Sequence, residues 1–538
     1  MKVVVAQINS TVGDFTGNVA KILDFTELAK GNGATLVITP ELALSGYPPE
    51  DLFLQEGFYL ACQNALAALV KKINGITLLI GHPYLLGTNL YSAVSIINDN
   101  KIIVTHYKNR PIKPNFLDRR YCSESDSNLH IFNLEGAKFG IIIGADMWHE
   151  SVANAAKEGG VDVLLTLNAS RYHINKQASR YQIMRQYVSR SNAALVYANS
   201  IGGQDELVFD GASFAMNNQG ELTHQFDEFV ETLGLVELQN NIPVQGKIIP
   251  LKILQGAVYQ ALCLGVKDFV CKNKFSGVLL GLSGGVDSAL TLAIAVDALG
   301  ADKVWAVMMS SEYTADISLQ DARTMAKELG VRYSEFSIKL ILDQFLGILQ
   351  NKFEGSQKGK DADIAEENLQ ARIRGTFLMT LSNKYGSIVL TTSNKSEIAV
   401  GYCTLYGDMA GGLAVLKDIY KTRVYQLCHY RNSLGRVIPE RVIQRAPSAE
   451  LRHNQLDQDS LPSYEILDGI IEAYVEKNMS PHEIISMSYA EIDVRQVVEL
   501  IHASEFKRRQ SPIGIHVTER GFDRDRHYPI TSKYRDRL

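Results

Sequence analysis

The stretch from Gly277 to Leu290 reads Gly-Val-Leu-Leu-Gly-Leu-Ser-Gly-Gly-Val-Asp-Ser-Ala-Leu. An apolar run leads into a tight turn at Ser283-Gly284-Gly285, and the pattern predicts a helix starting near Asp287-Ser288. A turn of this kind binds anions. Its glycines let the backbone approach a phosphate closely, and the free N–H groups at the helix start point at it. Gly281, Leu282, Ser283, Gly284, Gly285, Val286, Asp287 and Ser288 are therefore candidate phosphate-binding residues. The two serines add hydroxyl donors, and Asp287 is a candidate ligand for Mg²⁺. The Gly-Lys-Ser/Thr element of kinase and GTPase loops is missing, so a different phosphate chemistry is indicated.

Such a loop needs a strand before it and a helix after it, and the chain offers many of both. Strand-like and helix-like segments alternate through both halves, which predicts an α/β protein. Short apolar runs at 3–8, 36–39, 77–80, 139–143 and 163–166 have strand length. The unbroken run 161–167 suits a strand buried on both faces. Asp99-Asn100 between 91–98 and 101–105 predicts a hairpin. Residues 236–250, with Asn240-Asn241-Ile242-Pro243, read as a linker, and a boundary near 245 separates two domains, 1–245 and 246–538. The segment 354–363 and the basic C-terminal tail are expected to be mobile.

The 538 residues carry a net charge of −5 with 46% hydrophobic content, a composition that argues against a broad basic nucleic-acid surface. Six dispersed cysteines form no Cys-x-x-Cys pair, so neither a disulfide framework nor a zinc site is expected. No signal peptide or membrane-length apolar run is read, and a cytoplasmic protein is expected.

The loop resembles the pyrophosphate loop of the N-type ATP pyrophosphatases, which implies ATP as a substrate. Downstream lie Glu366-Glu367-Asn368-Leu369-Gln370-Ala371-Arg372-Ile373-Arg374-Gly375, Thr391-Thr392-Ser393-Asn394-Lys395-Ser396-Glu397, Gly401–Asp408, Pro447–Leu451, Leu461–Tyr464 and Glu505–Gln510. Taken singly, Glu367 and Glu397 read as helix caps or solvated charges, and Arg372 and Arg374 as an exposed helix face. As an ordered set, from about residue 250 onward, they resemble the NAD synthetase domain of the large glutamine-dependent enzymes. The resemblance implies a Rossmann-like parallel sheet. It also implies ATP binding by Thr392, contacts to deamido-NAD from Asn368, Glu397 and Lys507, and Mg²⁺ held by Asp287 and Glu397. Gly401–Asp408 is left as site wall.

In the first half, Val5-Ala6-Gln7-Ile8-Asn9, Thr39–Leu52, Asn168-Ala169-Ser170 and Gly202–Gly211 resemble the nitrilase, or carbon–nitrogen hydrolase, superfamily. That family implies an αββα sandwich and a Glu–Lys–Cys triad that releases ammonia from glutamine. Glu41 matches the base. The lysine is either Lys108 or, on a Pro114-Asn115 anchor, the position of Arg110. The Cys-Glu-Asp-x-Trp motif reads Gly144-Ala145-Asp146-Met147-Trp148, so the nucleophile is absent. Arg171 replaces a proline. Ser170 and Lys176 keep the spacing of glutamine-binding positions, and Cys122 reads as incidental.

The expectation is therefore an ATP-dependent amidation of deamido-NAD. Ammonia would come from solution or from a separate amidotransferase, and the chain would form a homodimer or larger homo-oligomer. A different adenylated substrate, or a first half serving only as scaffold, are the alternatives.

Overall fold

The computed structural model describes residues 1–108, 129–353, 364–453 and 455–534. Arg110, Cys122 and the segment 354–363 lie outside the described residues. The chain divides into two compact units, Met1–Ile253 and Leu254–Leu538.

The first unit is built on two sheets. Strands β1 (Lys2–Gln7), β2 (Leu36–Ile38), β3 (Thr77–Leu86), β4 (Asn89–Asn98) and β5 (Lys101–Tyr107) belong to a seven-stranded sheet. Strands β6 (His130–Leu134), β7 (Ala137–Ile143), β8 (Val163–Asn168) and β9 (Ala194–Asn199) belong to a six-stranded one. β10 (Ile201–Gln204) pairs with β11 (Leu207–Asp210), and β12 (Phe214–Met216) and β13 (Leu222–Gln225) complete the second sheet. β14 (Thr232–Gln239) and β15 (Ile242–Pro243) return to the first.

Side chains alternate across each strand. Val3, Val5, Ile38 and Leu79 therefore meet Phe139, Ile141, Leu165 and Val196 between the sheets. Val4, Ala6, Val37 and Leu78 face helices α1 (Phe15–Gly31) and α2 (Glu56–Val70). Ile142, Leu164 and Leu195 face α3 (Glu150–Glu158) and α4 (Lys176–Ser191). This is the αββα sandwich expected, and burial on both faces explains the unbroken apolar runs.

One local reading holds and one changes. Asp99 and Asn100, with φ of 44° and 60°, form the two-residue turn predicted between β4 and β5. Asn240 and Asn241, with φ of 49° and 63°, make the same kind of turn between β14 and β15. The stretch read as a linker thus opens with a hairpin pairing to β1. Its Asn-Asn-Ile-Pro composition suggested a loop because a tight hairpin turn uses the same residues.

In the second unit, α5 (Leu254–Lys272) precedes β16 (Val278–Gly281), α6 (Val286–Leu299) and β17 (Val304–Ser310). Then come α7 (Asp316–Leu329), β18 (Arg332–Ser337), α8 (Lys339–Phe353), α9 (Ile364–Tyr385), β19 (Ile388–Thr391), α10 (Lys395–Val400), β20 (Leu413–Ala414) and α11 (Lys421–Ser433). The sheet order is β18-β17-β16-β19-β20, and every pairing is parallel. The chain moves outward from β16 through β17 to β18, then crosses back to β19 on the other side. That reversal opens a crevice at the carboxyl ends of β16 and β19, where open α/β sheets bind ligands. Leu279, Val307 and Val389 pack on Ile373 and Leu378 of α9 to hold the crevice floor.

The described part of the C-terminal tail is anchored by packing between residues 515 and 518. Ile515, His516 and Val517 are buried, and Asp418 accepts hydrogen bonds from the N–H groups of Val517 (2.8 Å) and Thr518 (2.7 Å). The same Thr518 hydroxyl accepts from Lys395 Nζ at 2.9 Å, and Lys395, fully buried, also pairs with Asp418 (2.8 Å) and Glu476 (2.6 Å). No helix among the described residues is long and apolar enough to cross a membrane.

Candidate functional site

At the switch point the chain leaves β16 through Gly281-Leu282 and turns at Ser283. Leu282 is buried, while Ser283 and Gly285 are exposed. Gly284, between them, has φ +83°, and a Cβ there would sit 2.6 Å from the carbonyl oxygen of Ser318. Only glycine lets the turn lie this close to α7. Ser288 Oγ accepts from the N–H of Ser283 (3.2 Å), and Ser283 Oγ accepts from that of Gly285 (3.2 Å), so the two hydroxyls knit the turn to the first turn of α6.

The loop residues 281–288 line a cavity of about 420 Å³, and so do Thr392, Asn368, Glu397 and Lys507. Every second-half residue expected to contact ATP, deamido-NAD or Mg²⁺ thus lines one cavity, while Arg372 and Leu461–Tyr464 do not line it. Thr392 follows β19, next to β16. Asn368 lies on α9 and accepts at Oδ1 from the Thr404 hydroxyl at 2.7 Å. Lys507 Nζ donates to the carbonyl oxygens of Gly401 (2.8 Å) and Cys403 (2.9 Å), which fixes a cation in the cavity wall.

Sequence reasoning missed the residue that ties the acids together. Lys421, the first residue of α11 and buried, places Nζ 2.5 Å from Asp287 Oδ2 and 3.2 Å from Glu397 Oε1. Although burial works against its charge, Asp287 and Glu397 hold the Lys421 pKa above its ordinary value. Burial pushes the Glu397 pKa up; Lys421 opposes this, while Asp287 and then Asp457 add to it. Asp457 also lines the cavity and accepts from Tyr464 at 2.8 Å. Asp408 does too, accepting from the Thr404 N–H (2.6 Å) and Ser393 (3.3 Å), with its pKa raised by burial. Arg374 lines it with Nε bonded to the Met309 carbonyl at 2.9 Å; burial draws its pKa down to about 10. Asp408 falls in the stretch read as site wall, whereas Arg374, which taken singly reads as part of an exposed helix face, is half-buried and lines the cavity, and no sequence signal pointed to Asp457.

Two carboxylates beside a phosphate-binding turn suit Mg²⁺, which takes one or two carboxylates together with substrate phosphates. Among the described residues no group of three or more His, Cys, Asp or Glu is placed to hold a metal by itself. The fit therefore depends on a nucleotide.

The first unit collects the other set. Glu41 follows β2, Lys108 follows β5, and Gly144 opens the turn Gly144–Trp148 after β7. Lys108 Nζ lies 2.9 Å from Glu41 Oε1, both side chains buried, and Ser92 Oγ donates to the same oxygen at 2.9 Å. Of the two candidate lysine positions, Lys108 stands beside Glu41 and Arg110 lies outside the described residues. Gly144 has φ +48°. A Cβ built there collides with Glu41 Oε2 and falls 2.9 Å from both Glu41 Cδ and Lys108 Nζ. The ion pair fills the space that a side chain at 144 would need.

Ser170 Oγ accepts from Arg180 Nε at 3.2 Å, and Arg180 is locked to Asp210 at 2.8 Å. Lys176 opens α4 with Nζ 5.8 Å from the centre of the Trp148 ring, which puts it near the 144–148 turn.

Residues 258–511 match the NAD synthase family and residues 2–242 the carbon–nitrogen hydrolase family. The chain is 43% identical over 540 residues to a glutamine-dependent NAD(+) synthetase of Acinetobacter baylyi, covering 99% of each chain. It is 37% identical over 579 residues to one from Thermotoga maritima, covering 100% of each. A solved structure, glutamine-dependent NAD+ synthetase from Acinetobacter baumannii in complex with adenosine diphosphate, aligns with a TM-score of 0.80 at 39% identity. That alignment covers 100% of this chain and 99% of the other.

Proposed function

The chain belongs to the glutamine-dependent NAD(+) synthetase family, and from that membership we propose that it amidates deamido-NAD at the expense of ATP, drawing nitrogen from ammonia rather than glutamine. The nicotinate carboxylate attacks the α-phosphorus of ATP, forming its AMP ester and releasing pyrophosphate. Ammonia then adds to the activated carbonyl and expels AMP, leaving the amide.

The second unit does this work. The turn at Ser283–Gly285 and the start of α6 take the phosphates with backbone N–H groups and the Ser283 and Ser288 hydroxyls. Thr392 takes part in the same nucleotide site. Asn368, Glu397 and Lys507 contact deamido-NAD, with Lys507 set by two carbonyl oxygens. Lys421 supplies a fixed positive charge where negative charge builds on the phosphorus, the kind of prearranged electrostatics that lowers such barriers. Magnesium, when bound, would be held by Asp287 and Glu397 with phosphate oxygens and supplies charge neutralisation at the triphosphate.

Gly144 carries the choice of nitrogen donor. A thioester needs a sulfur, and glycine provides none. Loss of a covalent nucleophile costs on the order of 10⁶ in turnover. Ser170 and Lys176 keep the glutamine-binding positions as vestiges, and Glu41 with Lys108 keeps the rest of the triad without its chemistry. Ammonia reaches the enzyme from solution or from a separate amidotransferase. The same reading has the protein working as a homodimer or larger homo-oligomer in the cytoplasm, a reducing compartment that suits five described cysteines that are all free.

The test is NAD formation by the purified full chain with ATP, Mg²⁺, deamido-NAD and either ammonium or glutamine as sole donor. Synthesis with ammonium and none measurable with glutamine is expected. Comparable efficiency with both donors overturns the ammonia assignment, and no pyrophosphate release with excess ammonium overturns the whole reading.

A further inference from the structure

The two strand-to-helix junctions at the switch point are joined by one side chain that none of the motif readings uses. Asn394 is fully buried and is the N-cap of α10. Its Oδ1 accepts from the N–H of Glu397 at 3.0 Å, and its own N–H donates to Glu397 Oε2 at 3.3 Å. This reciprocal capping box occupies one half of the side-chain amide. The other half crosses to the neighbouring junction, where Nδ2 donates to Asp287 Oδ1 at 2.9 Å. Lys421 closes the circuit from the opposite side, on Asp287 Oδ2 and Glu397 Oε1. Each of the two acids is therefore held at one oxygen by Asn394 and at the other by Lys421.

We infer that Asn394 is a positioning residue for the ATP-dependent step: it sets the Asp287 carboxylate relative to Glu397 so that both offer oxygens to the cavity together. The inference rests on the nucleotide role proposed above for Asp287 and Glu397. An ionised carboxylate has about four acceptor sites over its two oxygens, so one donor on each leaves capacity facing the cavity. The carboxylate torsion of an aspartate is soft. With Lys421 as its one partner, Asp287 would swing toward that ammonium; the Asn394 amide opposes the swing from the other end.

The residue type separates this role from simple capping. Asparagine, aspartate and serine all make good N-caps. Only the asparagine amide carries an acceptor and a donor on one planar group, and so can cap α10 and donate to Asp287 at once. A serine keeps the cap and is too short to bridge; an aspartate keeps the cap and sets a second negative charge against Asp287. The junctions lie side by side because β16 and β19 are adjacent and parallel, with Leu280 opposite Leu390, although the bridged residues are 107 apart in the chain.

The test uses the full chain with Asn394→Ser, Asn394→Asp and, as control, Asp287→Ala. Three quantities are read: thermal unfolding, Mn²⁺ binding followed by the EPR signal of the free ion with a non-hydrolysable ATP analogue, and NAD synthesis with ammonium. Asn394→Ser is expected to unfold near the wild-type temperature, and Asn394→Asp, which buries a second negative charge, at a lower one. Their Mn²⁺ affinity and kcat should fall by about 10- to 100-fold, as when partners of metal ligands are removed. The KM for deamido-NAD should hold, and the aspartate should be the more impaired. If Asn394→Ser keeps wild-type Mn²⁺ affinity and kcat while Asp287→Ala loses both, Asn394 is a cap and nothing more, and the inference fails. Should the serine variant not fold, wild-type metal binding and turnover in Asn394→Asp overturns it equally. If Asp287→Ala itself behaves as wild type, it is the role of Asp287 that is wrong.

Discussion

The pairs Glu41–Lys108 and Asp287–Lys421 are built alike: in each a carboxylate meets a buried lysine, 2.9 Å apart in the first unit and 2.5 Å in the second. What lies beside them differs. Next to Asp287 a cavity of about 420 Å³ opens onto the Ser283–Gly285 turn. Next to Glu41 the position that would carry a nucleophile is a glycine, and the carboxylate occupies its space. An acid and a base kept in register are not yet a catalytic site; the reacting atom and the room for a substrate decide. The first pair is a buried ion pair.

Removing the second ammonium should produce the largest effect. Lys421→Met leaves Asp287 and Glu397 together without their shared cation. Ammonium-supported NAD synthesis is expected to drop by on the order of 10²–10³, the size seen when a prearranged charge is removed. Steady-state kinetics on the folded variant checks this, and a rate within threefold of wild type would break the contrast drawn here.

A smaller effect is expected from putting sulfur back. Gly144→Cys places a side chain in the left-handed region and pushes on the Glu41 carboxylate, at a cost of about 1–3 kcal/mol for the backbone conformation alone. Urea unfolding should show that loss, and glutamine-supported synthesis should stay absent. Robust glutaminase activity in this variant would mean that a missing atom, and not a closed site, separates the two regions.

The most gradual effect is that of acid. Burial draws His82, His106 and His173 of the first unit down to about 4, His106 also through His130 and His173 through Lys176. Unfolded, these rings titrate near 6.5, so between about 6.5 and 4 the unfolded chain binds more protons than the folded one. Their stabilisation is complete above that window and is lost as pH falls through it. The two tryptophans report separately, Trp148 from the first unit and Trp305 from the second. Fluorescence of Trp148→Phe and Trp305→Phe proteins during acid titration should show the first unit opening at the higher pH; the reverse order would count against it.

What could be read from the sequence was local. The Ser-Gly-Gly turn declares itself because glycine freedom and helix-start donors lie within six residues, and the doubly buried strands because their apolar runs are unbroken. Lys421 and Asn394 could not be read this way. Their partnership with Asp287 spans 134 and 107 residues and exists only because β16 and β19 became neighbours. Lys108 was ambiguous because one alignment anchor sat on residues whose spacing had changed, and its contact with Glu41, 67 residues away in the chain, could not be read from spacing. The β14–β15 hairpin was hidden because two asparagines in a tight turn look, as composition, like a tether.

The packed tail has a bearing on how small this catalyst can be made. The matched synthase segment stops at residue 511, yet Thr518 and its neighbours supply donors to Asp418, which in turn balances Lys395. Lys395 sits immediately after Asn394, behind Asp287 and Glu397. A fragment trimmed to the matched segment would keep every residue that lines the cavity while removing the brace behind them, so the working minimum of the molecule is longer than its recognisable motif.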